Sequence, residues 1–82
     1  MIYVSTKTQE EYDKLMKIYT DEELYWCSGS HPIELNYWIK YEENTCVSYK
    51  QRFNFRNKAE ISNITIITFE KFTRKYKLNI LK

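Results

Sequence analysis

The chain carries one glycine and one proline in 82 residues, and both fall in Tyr25-Trp26-Cys27-Ser28-Gly29-Ser30-His31-Pro32. Glycine reaches positive φ without a steric penalty, and proline fixes φ and removes a backbone donor, so the pair marks a sharp turn. Everywhere else the sequence avoids such turns. The same stretch holds the only histidine, one of two cysteines and one of two tryptophans. A strand end followed by a turn is enough to explain Gly29 and Pro32. It does not by itself explain the aromatic residues that crowd around them.

The segments on either side read as a small α+β domain. Ile2-Tyr3-Val4 is branched and aromatic, as a strand requires. Thr8-Gln9-Glu10-Glu11 has the form of a capping box, in which hydroxyl and carboxylate satisfy orphan helix amides. Tyr12, Leu15, Met16 and Tyr19 follow at i, i+3, i+4 and i+7, one apolar face of a helix over 8–19. Leu24–Cys27 forms a second strand that Gly29 and Pro32 end.

Residues 33–41 (IELNYWIKY) fit both periods and are read as irregular chain containing a helical turn. Thr45–Tyr49 and Arg52–Phe55 are strand-like runs that Lys50-Gln51 would join as a hairpin, though the Asn-Gly or Asp-Gly favoured there is missing. Ile64–Thr68 is branched at every position and is expected to be a central strand. Thr68 then caps a short helix with Phe69, Phe72 and Tyr76 on one face. The tail Lys-Leu-Asn-Ile-Leu-Lys would add an edge strand. The architecture expected is a single domain over 1–82: a small, mostly antiparallel sheet, the 8–19 helix packed on it, and a short C-terminal helix.

Size restricts what such a domain can do. A globule of this length buries only about 60–65% of the surface its unfolded chain exposes, so a deep active-site cavity competes with the core for residues. With 43% hydrophobic and 29% charged residues the chain is globular rather than disordered. The N-terminal MIYVSTKTQEE has no basic n-region and no long apolar run, so no signal peptide is expected. The longest apolar run is far short of the ~18–20 residues of a membrane span. A cytoplasmic protein with no membrane partner follows, and Cys27 and Cys46 are expected to be reduced thiols.

Catalytic and metal chemistry find little support. Cys27, His31 and Cys46 are the only Cys and His residues, whereas structural zinc sites offer four such ligands in paired short spacings. A Cys–His nucleophile would need an orienting third group and an oxyanion hole. The Ser-Gly-Ser-His run lacks the glycines that flank the serine of a nucleophile elbow. Neither common phosphate-binding glycine loop is present. Glu10/Glu11, Glu22/Glu23 and Glu42/Glu43 sit at turns or helix starts, where the helix dipole accounts for acids. No catalytic residue, metal or cofactor is assigned.

Two surfaces remain. Trp26, His31, Tyr37, Trp38 and Tyr41 cluster around the turn; the plainer reading is core, the functional one an aromatic rim that anchors a partner or stacks a base. Charge supplies the second. Residues 1–43 hold four Lys against nine Asp and Glu, and residues 44–82 hold nine Lys and Arg against two Glu, so a net +2 conceals halves of −5 and +7. In Lys50–Lys58, strand alternation puts Phe53 and Phe55 on one face and Arg52, Asn54 and Arg56 on the other. Lys50, Arg52, Arg56 and Lys58 form one basic group; Lys71, Arg74 and Lys75 form another on the last helix. Such groups fit a phosphate-bearing or acidic partner, or simply offset the acidic half.

One Ala and one Gly against ten Lys, nine Ile and eight Tyr is a bias of AT-rich coding sequence, as in low-GC bacteria and their phages. Several segments strengthen that association: Tyr12-Asp13-Lys14-Leu15-Met16, Trp26-Cys27-Ser28-Gly29 with Pro32, Asn36-Tyr37-Trp38, Glu43-Asn44-Thr45-Cys46 and Ile66-Ile67-Thr68-Phe69-Glu70-Lys71-Phe72. Together they resemble small uncharacterised proteins encoded by phages and prophages of low-GC Gram-positive bacteria. The resemblance implies a non-enzymatic accessory protein in the host cytoplasm that binds and inhibits a host protein, such as an anti-phage defence protein. It equally admits a sponge for a nucleotide signal, one that would need a homo-oligomer to close a pocket. Nucleic-acid binding by the basic half is the third reading, and catalysis the last.

Overall fold

The computed structural model describes residues 2–60 and 65–77. Strand β1 (Ile2–Thr6) leads into helix α1 (Gln9–Asp21) and a short strand β2 (Tyr25–Trp26). A 3-10 turn at Pro32–Glu34, helix α2 (Trp38–Tyr41) and a second 3-10 turn at Glu42–Asn44 follow. Strands β3 (Thr45–Ser48), β4 (Arg52–Phe53) and β5 (Phe55–Asn57), then β6 (Thr65–Thr68) and helix α3 (Phe69–Phe72), complete the α+β order.

Helix α1 begins where its cap chemistry places it. The Thr8 hydroxyl accepts from the Glu11 N–H at 3.1 Å, and the Glu11 carboxylate accepts from the Lys7 N–H at 2.8 Å. The carboxylate thus closes one residue further back than in a standard capping box. Tyr12, Leu15, Met16, Ile18 and Tyr19 are buried and share one core with Val4, Val47 and Ile67 of the sheet. The apolar stripe of α1 is therefore its sheet-facing side.

Among the described residues the main sheet has four strands in the order β5-β3-β1-β6. It is mixed, not mostly antiparallel as expected. β3 pairs antiparallel with β1 and β5, but β6 lies parallel to β1, with Tyr3 opposite Ile66 and Val4 opposite Ile67. Local pattern fixes which residues extend but not which way a strand runs once a long crossover precedes it. β6 is also not central: among the described residues it pairs with β1 alone and forms an edge. The two central strands are β1 and β3, whose Tyr3–Thr6 and Thr45–Ser48 are buried throughout. Of the edge strand expected over 77–82, Lys77 instead ends a helical segment (Thr73–Lys77), and 78–82 lie outside the described residues.

The hairpin expected across Lys50-Gln51 takes a different form. The run Arg52–Phe55 splits at Asn54 into β4, which leaves the main sheet to pair parallel with β2, and β5, which pairs with β3. Ser48 and Asn54 close the loop between them. The Ser48 N–H donates to the Asn54 carbonyl at 2.9 Å, and the Asn54 N–H donates to the Ser48 hydroxyl oxygen at 2.9 Å. A serine–asparagine clasp thereby does what a glycine turn would do in a hairpin. The Thr68 hydroxyl accepts from the Lys71 N–H at 3.1 Å, capping α3 and directing Phe72 into the core.

Candidate functional site

The rare residues of 25–32 form a turn whose purpose is to seat Trp26. Gly29 stands at φ +95, and its N–H donates to the Trp26 carbonyl at 2.8 Å, while the Trp26 N–H donates to Ser30 at 3.0 Å. The chain then returns through Pro32, whose carbonyl accepts the Trp26 indole N–H at 3.2 Å. Trp26 is only 3% exposed, with its ring 4.4 Å from that of Phe53. It is a core residue rather than part of a rim. His31 is exposed, its ring centroid 5.2 Å from that of Tyr25, and its N–H bonds the Glu34 carboxylate at 2.8 Å.

From this turn, residues 31–44 cross the molecule as a ridge that hydrogen bonds hold in place. The Tyr12 hydroxyl donates to the Leu35 carbonyl at 3.0 Å and accepts from the Tyr37 N–H at 3.1 Å. Burial pushes that phenol up to about 12, so it remains a neutral donor at ordinary pH. The Asn36 and Gln9 side chains bond each other in both directions, at 3.0 and 3.1 Å. The half-buried Trp38 donates its indole N–H to the Thr6 carbonyl at 3.3 Å, and its own carbonyl accepts from Thr45. The inner side of the ridge is thus fully occupied.

Its outer side is not. Ile33 and Ile39 are each 70% exposed, the only large hydrophobic residues so exposed among the described ones, and both stand on this ridge. Tyr37 lies flat on Phe55, centroids 4.1 Å apart and planes 13° from parallel, and Tyr41 approaches the same ring at 5.7 Å. The Lys40 ammonium sits 5.6 Å from the Tyr41 centroid and 5.9 Å from that of Phe55, within cation–π range. The Tyr37, Trp38 and Tyr41 of the expected rim are therefore together, all half-buried, with two exposed isoleucines beside them. Those isoleucines escaped the sequence reading because both fit an alternating strand, and alternation does not say which face a partner covers.

Two shallow clefts flank the ridge. One, of about 190 Å³, lies against α1 and is lined by Tyr12, Asp13, Met16, Ile33, Leu35 and Asn36. The other, of about 170 Å³, lies between the 26–28 turn and the Phe53–Phe55 segment, with Tyr37 on its wall. No described helix is long and apolar enough to cross a membrane.

The basic residues are not gathered into one patch. Arg52 is on β4, with its guanidinium 3.4 Å from where a Cβ on Gly29 would stand. Arg56 is on edge strand β5, and Lys58 begins the 3-10 turn after it, close enough to Cys46 to oppose partly the rise in its thiol pKa. Lys71 is on α3, with Arg74 and Lys75 just after it, beyond the opposite edge strand β6, and Arg74 pairs with Glu70 at 2.7 Å. Lys50 is exposed in the loop before β4. Arg56 and Lys58 thus lie at the β5 edge of the main sheet, Arg52 on the separate β2–β4 pair, and Lys71, Arg74 and Lys75 beyond the β6 edge, a spread that disfavours a continuous track for a nucleic-acid backbone.

Among the described residues no three His, Cys, Asp or Glu side chains converge to hold a metal ion. Cys27 is exposed, and Cys46 is buried with its thiol pushed up to about 11 by desolvation. That places the thiolate, the reactive form, out of reach at neutral pH for Cys46. No protein-family model, curated protein or solved structure matches this chain.

Proposed function

We propose that this chain is a phage-encoded, non-enzymatic protein that binds and inhibits a host protein, in its most specific form an anti-phage defence protein. The binding part of the reading rests on one observation. Ile33 and Ile39 are both 70% exposed on a ridge whose inner side is held by hydrogen bonds. A small protein gains nothing in folding from exposing two isoleucines, whereas an interface gains from an apolar centre flanked by aromatic rings. The ridge is also pre-organised, so less conformational entropy is lost when a partner docks. Tyr37, Trp38 and Tyr41 supply the flanking aromatics, with Lys40 and the acids Glu34, Glu42 and Glu43 as a polar rim. The phage origin and the inhibitory role rest on the residue resemblance given above.

The test is a comparison of two tagged proteins in a lysate of a low-GC Gram-positive host. The native chain should retain one host protein in stoichiometric amount. The double variant Ile33→Ser, Ile39→Ser, with an unchanged melting temperature because both sites are exposed, should lose it. Identical recovery by both proteins would remove the ridge from the interface. Recovery of nucleic acid alone would overturn the reading.

A further inference from the structure

The cleft between the turn and β5 carries chemistry that the ridge does not use. The buried rings of Trp26 and Phe53 back it, and the half-buried rings of Tyr37 and Phe55 flank it. At about 170 Å³ it is smaller than the ~300–1,000 Å³ of pockets that enclose a whole ligand. It has room for one planar ring and leaves the remainder of a ligand on the surface.

Two polar features lie where that remainder would be read. Asn54 lines the cleft, and its side-chain oxygen accepts from Tyr3 at 3.4 Å and from Ser48 at 3.3 Å. The amide is thereby held in one orientation, while its NH2 makes no hydrogen bond with any described residue. Arg52 supplies the charge. Its guanidinium is 3.4 Å from the position of a Gly29 Cβ, one residue from the Ser28 that lines the cleft. No carboxylate among the described residues pairs with it. Gly29 is required by its φ of +95, and the guanidinium lies within ordinary contact distance of the turn it makes.

We infer that this cleft binds a planar heteroaromatic ring joined to an anionic group, the build of a nucleoside monophosphate. The ring enters among Trp26, Tyr37 and Phe55, an acceptor on its edge meets the Asn54 NH2, and the anion meets Arg52. Ring-on-aromatic contact is tolerant of the ring's identity, whereas the guanidinium is selective for a planar or tetrahedral oxyanion. The cleft shares Tyr37 with the ridge but not its exposed Ile33 and Ile39, so its ligand can be tested with no protein partner present.

The experiment is a calorimetric titration of the full chain, with no partner present, using AMP, GMP, CMP and UMP. Adenosine serves as the ring alone and inorganic phosphate as the anion alone. At least one monophosphate should saturate, with adenosine and phosphate each weaker by about tenfold or more, roughly one charge-assisted hydrogen bond's worth. Arg52→Gln, an exposed and foldable change, should bring the monophosphate down to the level of its nucleoside. Tyr37→Leu keeps the apolar bulk but removes the ring, and it should weaken nucleoside and nucleotide alike. Failure of every monophosphate to saturate, or equal binding of nucleotide and nucleoside unaffected by Arg52→Gln, would overturn the inference.

Discussion

Among the described residues, Glu23 and Glu42 stand in backbone conformations that their side chains do not favour. Glu23 ends α1 at φ 60 and Glu42 ends α2 at φ 49, ψ −125. The first is the left-handed position where helices usually place glycine. The second is more costly, because that region is close to glycine-only territory, and it lies on the ridge next to Tyr41. A composition with one glycine simply has none to spend there. Strain of this kind costs on the order of 1–3 kcal/mol and persists where surrounding contacts fix the backbone. Here the Glu42 N–H is held by the Trp38 carbonyl and the Thr45 N–H by the Glu42 carbonyl. Glu42→Gly should therefore stabilise the fold by about 1 kcal/mol after the entropy of the more flexible unfolded chain is deducted. The melting temperature should rise by about 4–8 °C for a domain of this size. A lower melting temperature would show that the Glu42 side chain makes a contribution larger than the strain.

At the scale of elements, one side chain decides where the ridge lies. Tyr12 belongs to the helix stripe and was legible as such from its spacing. Its hydroxyl, however, is what clamps Leu35 and Tyr37 to α1. Tyr12→Phe keeps the packing and removes both bonds, leaving a carbonyl and an amide in a partly buried site. The expected cost is about 1–3 kcal/mol, read from urea unfolding. Faster hydrogen exchange at the Tyr37 amide, with that of the α1 amides less affected, would locate the loss in the ridge. If the ridge is the interface, partner affinity should fall as well. The two strand runs around Lys50-Gln51 teach a related lesson. Their extended character was readable, but their pairing was not: Asn54 divides them because its backbone is engaged by Ser48, a contact between residues whose adjacency depends on the loop already being closed.

For the whole molecule, the buried titratable groups set an alkaline limit on stability. The Cys46 thiol is pushed from 9.0 to about 11 and the Tyr12 phenol from 10.0 to about 12, both chiefly by burial, and the Tyr19 phenol is likewise raised well above its ordinary value by burial. Each is neutral when protonated, so the folded state holds its proton to higher pH than the unfolded chain does. Between pH 9 and 12 the unfolded state binds fewer protons than the native one, and stability falls as pH rises. Their contribution is complete below pH 9 and is lost progressively from there. The urea midpoint should accordingly be level from pH 7 to 9 and decline from pH 9 to 11. Cys46→Ala should flatten the earlier part of that decline while leaving the part above pH 10 to the tyrosines. A midpoint independent of pH across this range would mean that these groups become solvated without unfolding.

The pieces whose causes are local were legible in the order of the residues. The α1 stripe and the Thr8 and Thr68 caps follow from side chains within a turn or two of one another, and so does the Gly29–Pro32 turn. Those interactions need no distant partner, so spacing and residue type suffice. The parallel run of β6 against β1, the transfer of β4 to β2, and the burial of Trp26 while Ile33 and Ile39 stay exposed emerge only when the chain has closed on itself. Each depends on where a long-range contact places a segment relative to the core. An isoleucine in an alternating run has the same local preference whether it faces the sheet or the solvent, and an arginine in a basic run is the same residue at either edge. Which of them meets a ligand is settled by closure of the chain, here by a tyrosine hydroxyl, an asparagine clasp and the single glycine over which Arg52 lies.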